Sequence, residues 1–189
     1  VKVATSFTSI DNARKNLAAE IPGWNFNEVR QASSDIWNQA LGQIAVKGNN
    51  EKEMVKFYSA LYNAHFLPRT FSDVDGSYPR FDGDGQIMKM DHGTYYCDFS
   101  QWDTYRAVHP LFSILNPSRN GDMAHSLVLK GQQGGWLPIF PSWNSYTAAM
   151  IGDHCIAMIG DAIVKDTPGF DYEEAYTLMR KNAFEANPD

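Results

Sequence analysis

Along most of this chain apolar residues recur at three- and four-residue steps, a period that leaves little room for anything but helices packed in pairs. Val29, Ala32, Ile36, Ala40, Leu41 and Ile44 mark one amphipathic helix, with Asn27 able to cap it. Lys47 to Asn50 is a turn. Met54, Phe57, Tyr58, Leu61, Tyr62 and His65 mark a second helix, which Pro68 stops. Further helices are expected at 9–19, 100–115 (kinked or divided at Pro110), 118–133, 148–165 and 171–186. Short and long connections alternate, so the helix pairs either stack into a solenoid or close into a ring. The long loops, 67–99 and 131–147, then fall at one end, and the site with them.

The first residues follow another pattern. Val1 to Phe7 alternates apolar and polar and reads as a strand whose partners lie outside this sequence. Glu20 to Trp24, with Pro22 and Gly23, is a linker. Residue 1 is valine, and Asn187-Pro188-Asp189 follows a helical pattern directly, so both ends read as cut from something longer. A net charge of −6 with no basic run argues against nucleic acid as a partner. The apolar runs are too short for a membrane helix. Cys97 and Cys155 read as free, buried thiols.

The stretch richest in chemistry is Tyr95 to Leu115. Ser100 is placed to cap a helix, with Asp103 three residues on. Trp102 and Asp103 share the first turn, and Arg106 lies on the face of Asp103. In one reading Asp103 caps the helix and pairs with Arg106 while Trp102 enters the core. In the other, the indole plane takes a sugar ring and the carboxylate takes its hydroxyls. The Gly131 to Thr147 loop is rich in Trp, Asn, Ser and Tyr, which suits a polyol ligand. Asp153 and His154 open the next helix, where Gly152 and Gly160 flatten one face, and His154 reads first as a structural histidine. Asp82-Gly-Asp-Gly85 invites a calcium reading. It lacks the rest of an EF-hand loop and reads as a turn with solvated acids.

Six segments carry a family resemblance: Ala18 to Trp24, Phe57 to Tyr62, Phe71 to Gly76, Phe99-Ser-Gln-Trp-Asp-Thr-Tyr-Arg-Ala-Val-His-Pro110, Gln133 to Pro138 and Met150-Ile-Gly-Asp-His154. In these the chain resembles glycoside hydrolase family 92, calcium-dependent exo-acting alpha-mannosidases. The resemblance implies a parent with an N-terminal beta-sandwich followed by an (α/α)6 barrel. Residues 1–24 would be the last strand of the sandwich plus a linker helix, and 25–189 the first half of the barrel. It implies that Trp102 and Asp103 line the mannose subsite, with Trp143, Tyr146 and His154 as further candidate substrate-binding residues. Tyr146 stands where many members have a glutamate, which bears on linkage.

Inverting glycosidases need two carboxyl groups, one as acid and one to activate water. The family carries these in Glu-Gly-Asn-x-Trp-Gln-Tyr and Asn-x-Asp-Cys-Gly-Gln type motifs, with a His-Asn-Glu-Pro motif near the calcium. None occurs here, so no catalytic residue and no metal ligand is expected in this chain; all would lie beyond Asp189. The expected function is thus part of a secreted or periplasmic alpha-mannosidase, alpha-1,2-directed, inactive alone. It would bind part of a mannose-containing glycan and pair with the rest of its parent or with itself through uncovered helix faces. The alternative is a non-catalytic carbohydrate-binding or interaction module.

Overall fold

The computed structural model describes residues 1–185, so the Asn187-Pro188-Asp189 end lies outside the described residues. The chain is mainly helical. Its elements are α1 (Ile10–Glu20), α2 (Phe26–Leu41), α3 (Glu51–Ala64), β1 (Arg69–Thr70), β2 (Ser77–Pro79), β3 (Ile87–Lys89), β4 (Tyr96–Cys97), α4 (Gln101–Thr104), α5 (Val108–Leu115), α6 (Pro117–Gly134), α7 (His154–Val164) and α8 (Tyr172–Phe184). β1 pairs with β4 and β2 with β3, both antiparallel.

The core lies around α6, which packs against α5, α7, α8 and β4. Its Met123, Leu127 and Val128 meet Phe112 of α5, Cys155, Met158 and Ile159 of α7, and Ala175 and Leu178 of α8. Both cysteines are free and buried, as expected. The α2–α3 hairpin is the opposite case. α2 buries no residue and α3 only Leu61. Trp24, Phe26, Ile36 and Val55 stand exposed, and an open groove of ≈ 690 Å³ runs along Met54, Val55, Tyr58 and Tyr62. Exposed apolar residues gathered on one face are the kind of surface through which proteins associate.

Several expectations need correction. Val1 to Phe7 forms no strand. Its alternation survives only as alternating exposure, because no strand among the described residues pairs with it to complete a ladder. The segment is anchored instead by polar contacts to the buried Asp73, whose carboxylate accepts from Ser6 Oγ (2.9 Å), Thr8 Oγ1, Asn12 Nδ2 (3.1 Å) and Asn16 Nδ2 (2.7 Å). Phe7 stacks on Phe71, with ring centroids 3.9 Å apart. The cap of α2 is Asn25, which accepts from Asn27 N. The 100–115 helix is divided at 105–107 and not at Pro110, which sits in the first turn of α5 where no backbone donor is required. α7 begins at His154, because Ala148, Met150 and Gly152 take φ of +47°, +68° and +88° and break any helix there. Gly152 therefore precedes the helix and flattens no face of it. The 171–186 helix runs from Tyr172 to Phe184, its expected last residue lying outside the described ones.

Candidate functional site

The two long loops meet at one end of the core, as their placement predicted. β4 delivers Cys97, and Asp98 then turns the chain with φ +60°. Because Arg69 of β1 lies opposite Cys97 in the ladder, its guanidinium reaches the next residue. Arg69 Nε donates to Asp98 Oδ2 at 2.7 Å, and Nη2 bonds the same oxygen. The other carboxylate oxygen accepts from Trp143 N (2.8 Å) and Ser142 Oγ (3.3 Å). Asp98 thus fixes the backbone of Trp143 while the indole stays 69% exposed, its ring centroid 5.4 Å from the Arg69 guanidinium.

Asn144 completes this clasp from the buried side. Its Oδ1 accepts from Tyr95 Oη (2.7 Å), its Nδ2 donates to Pro79 O (2.7 Å), and its carbonyl accepts from Asp82 N (3.0 Å). Asp82, Asp98, Trp143 and Asn144 all have φ between +47° and +61°. A left-handed residue other than glycine costs on the order of 1–2 kcal/mol. Four of them in one clasp persist only because the surrounding bonds over-determine the loop, and such strain gathers at functional sites. Trp143, Asn144 and Ser145 line a cleft of ≈ 310 Å³ together with Phe7, Arg80 and Asp82.

Beneath the clasp lies Lys130 of α6, fully buried. Its Nζ donates to Tyr96 O (2.6 Å) and sits 3.7 Å from the centroid of the Tyr95 ring, with Phe81 and Phe99 farther out. Burial lowers its pKa to about 8, opposed by the nearby Cys97, Asp98 and Cys155.

On α4 the buried residue is Gln101, and Trp102 is 42% exposed, so the indole is not core. Ser100 makes no backbone cap with its side chain; its Oγ donates to Asp103 Oδ2 at 2.5 Å. Nor is Arg106 paired with Asp103 among the described residues: it donates to Tyr105 Oη (2.6 Å) and lies over that ring. The Tyr105 ring stacks on His154 at 4.4 Å, with 12° between the planes. Trp102 and Asp103 lie on α4, which packs against α7, the helix that His154 opens, and the segment 98–100 runs from the Asp98 end of the Trp143 clasp to α4. Beside them Asp153 has its pKa raised by burial, against a bond from Asn182 and the neighbouring His154.

Tyr146 is engaged differently. Its hydroxyl donates to Trp136 O (2.6 Å) and accepts from Trp136 N (3.1 Å), and its ring meets Phe81 edge-on. It lies over Gly134, where a Cβ would fall 2.5 Å from the hydroxyl oxygen. The tyrosine holds the C-terminal end of α6.

Sequence reasoning missed Asp98, Arg69, Asn144 and Lys130 as a supporting set. Only Asp98 carried a signal, as a second carboxylate in the aromatic stretch. For calcium the residues present do not fit. Asp82 Oδ1 accepts from Ser145 Oγ, and Asp84 Oδ1 accepts from Gln86 N, as turn residues do. Calcium needs six to eight converging oxygens. Among the described residues, the group that could hold a metal ion is Asp91, His92 and His125, which is rich in imidazole.

The model of the glycosyl hydrolase family 92 catalytic domain matches residues 12–189. The fold superposes on the family GH92 alpha-mannosidase BT3965 from Bacteroides thetaiotaomicron with a TM-score of 0.89 at 36% identity, covering 97% of this chain and 25% of that one. It superposes on the family GH92 inverting mannosidase BT2199 of the same organism with a TM-score of 0.88 at 27% identity, covering 97% and 25%. An uncharacterized secreted glycosidase of Arthroderma benhamiae is 26% identical over 193 residues, which is all of this chain and 20% of that protein. The chain thus spans a quarter or less of the length of each of these relatives.

Proposed function

The chain belongs to glycosyl hydrolase family 92, and on that premise we propose that it forms part of the catalytic domain of an exo-acting alpha-mannosidase. In this reading residues 25–189 are the first half of an (α/α)6 barrel, and residues 1–24 connect it to a preceding beta-sandwich. The enzyme hydrolyses alpha-1,2-linked mannosides of glycans with inversion, using two carboxylates and a calcium ion. Acid, base and calcium ligands all lie outside this chain, whose own acids do not fit calcium, so no step of the reaction is assigned to it.

The chain's share of the work is to bind the sugar. An exposed indole on a strained, bonded loop offers a flat apolar face at low entropic cost. Trp143 has this character, while Trp102 presents an exposed indole from helix α4 beside the exposed Asp103 carboxylate. Asp103 accepts bonds from sugar hydroxyls, and His154 and Tyr146 stand behind the two indole-bearing segments. The exposed α2–α3 face supports association with the remainder of the parent or with a second copy. No helix among the described residues is long and apolar enough to cross a membrane. Secretion, or export to the periplasm, follows the relative named a secreted glycosidase.

The observation that carries this reading is the 36% identity to an alpha-mannosidase, maintained over 97% of the chain. The test uses the longest reading frame that contains this sequence. The whole product should release mannose with inverted anomeric configuration, followed by proton NMR, and the 189-residue chain alone should release none. Hydrolysis by the chain alone would refute the division of labour. A whole product that binds mannosides without cleaving them would leave the binding-module reading in its place.

A further inference from the structure

We propose that Asp91, His92 and His125 form a binding site for a divalent transition-metal ion of the zinc type. The site is separate from the calcium chemistry of the proposed reaction and does not depend on it. Asp91 and His92 lie in the connection between β3 and β4, and His125 on the middle of α6; one ligand atom from each lies within 4.8 Å of the others. On α6, His125 is eight residues before Gln133, which bonds Phe81 N near the clasp, so the two sites are about 12 Å apart along the helix axis.

The hydrogen bonds of His92 supply the argument. Its Nε2 lies 3.1 Å from Gly169 O, and a carbonyl can only accept, so Nε2 carries the proton. In the neutral ring Nδ1 is then a lone pair, and it faces Asp91 Oδ1 at 2.9 Å. A lone pair against a carboxylate oxygen at that distance is repulsive unless a cation lies between them. That cation is a second proton or a metal ion. An imidazole that donates its far nitrogen to a backbone carbonyl is also how ligating histidines are held.

His125 distinguishes the two. Its ring stacks on His92 with centroids 4.7 Å apart and 16° between planes, and its Nδ1 is buried with no hydrogen-bond partner among the described residues. A proton on His92 would leave the buried His125 nitrogen unsatisfied, whereas an ion held by the three converging ligand groups could use both rings. Asp122 brings a second carboxylate. Its Oδ2 accepts from Thr94 N (3.1 Å), and its Oδ1 occupies the space where a Cβ on Gly93 would fall, at 2.2 Å. Gly93, with φ +66°, thus lets the loop descend onto the α6 carboxylate. Two carboxylates and two neutral imidazoles balance one divalent ion.

Imidazole with carboxylate selects zinc and its neighbours over calcium, which takes oxygen ligands. A tetrahedral zinc ion with bonds of about 2.1 Å needs its ligand atoms about 3.4 Å apart. The 2.9 Å His92–Asp91 pair must therefore open, separations of up to 4.8 Å must close, and the rings must turn out of parallel. The Asp91 and His92 side chains are 76% and 51% exposed and free to do so. Three protein ligands leave a fourth position for water. The ion would tie the β3–β4 connection to α6.

The test is zinc titration of the chelator-treated 189-residue chain by calorimetry, with thermal unfolding in parallel. One equivalent should bind with a micromolar or tighter Kd and raise the unfolding midpoint. His125→Ala and His92→Ala should each weaken binding by more than about tenfold. Asp91→Asn alters a side chain too exposed to be needed for folding, and should weaken it as well. Cobalt(II) on the unmodified chain should give a visible absorption band that zinc abolishes. Failure of zinc to bind, or binding unchanged by Asp91→Asn and His125→Ala, would overturn the proposal. If His125→Ala fails to fold, Asp91→Asn and the cobalt spectrum still decide the question.

Discussion

Replacing Asp98 by asparagine should reveal whether the clasp supports the proposed sugar site. The carboxylate is 6% exposed, while its partner Arg69 is 52% exposed. Breaking a buried ion pair by removing one partner costs about 3–5 kcal/mol. Arg69 can turn to water, which moves the cost toward the low end. Asparagine keeps one acceptor for Trp143 N and Ser142 Oγ, so those bonds of about 1 kcal/mol each are only partly lost. Its amide donor then faces the guanidinium, donor to donor. The sum is a loss of about 3 kcal/mol. With a urea slope of about 2 kcal/mol/M, the unfolding midpoint should fall by about 1.5 M, followed by tryptophan fluorescence. The same variant should bind mannosides at least about tenfold more weakly, because the left-handed Trp143 loop relaxes without its acceptor. Arg69→Ala leaves the buried Asp98 carboxylate without its cation and should cost at least as much in stability as Asp98→Asn, which leaves an arginine that can turn to water. An Asp98→Asn variant with an unchanged midpoint and unchanged mannoside affinity would refute this account of the loop.

Other parts of the structure give further expectations. Lys130 has a folded pKa of about 8 against an ordinary 10.5, so between those values the unfolded chain binds more protons and stability rises with pH. Measured against Lys130→Met, which lacks the titration, wild-type stability should gain about 3 kcal/mol from pH 7 to pH 10.5 in urea unfolding; a difference independent of pH would show that burial leaves the lysine's proton affinity unchanged and would refute this account of the cage. Trp143→Ala, at a 69% exposed position, should leave the unfolding midpoint nearly unchanged while mannoside affinity, measured by calorimetry, drops at least about tenfold. Tyr146→Phe removes both bonds to Trp136 and should cost about 1–2 kcal/mol by urea unfolding. Its mannoside affinity should stay within about twofold if the hydroxyl serves only α6, and a large loss of affinity with little loss of stability would give Tyr146 a direct contact with the sugar.

What the sequence discloses about this chain follows from the range of each interaction. A helix announces itself within a few residues through its period, and every expected helix is present. Its ends depend on local detail: the left-handed Met150 and Gly152 keep α7 from starting before His154, and Pro110 sits in the first turn of α5 without dividing it. The alternation of Val1 to Phe7 is genuine, but a strand exists only with its partner. Trp102 and Trp143 stand out in the sequence by their own chemistry, and the structure leaves both exposed; their role as sugar platforms is part of the proposed function. The set that holds Trp143 was not legible. Arg69 reaches Asp98 only through the β1–β4 register, and Asn144 reaches Tyr95 only because a loop 49 residues away turns left-handed beside it. Lys130 looks in sequence like any charge on a helix surface, yet it becomes the cation around which Tyr95, Phe81 and Phe99 close. Strained loop and buried lysine belong to one construction. Tyr95 lies between them, its ring against the ammonium and its hydroxyl on Asn144, so loosening either end should be felt at the exposed indole of Trp143.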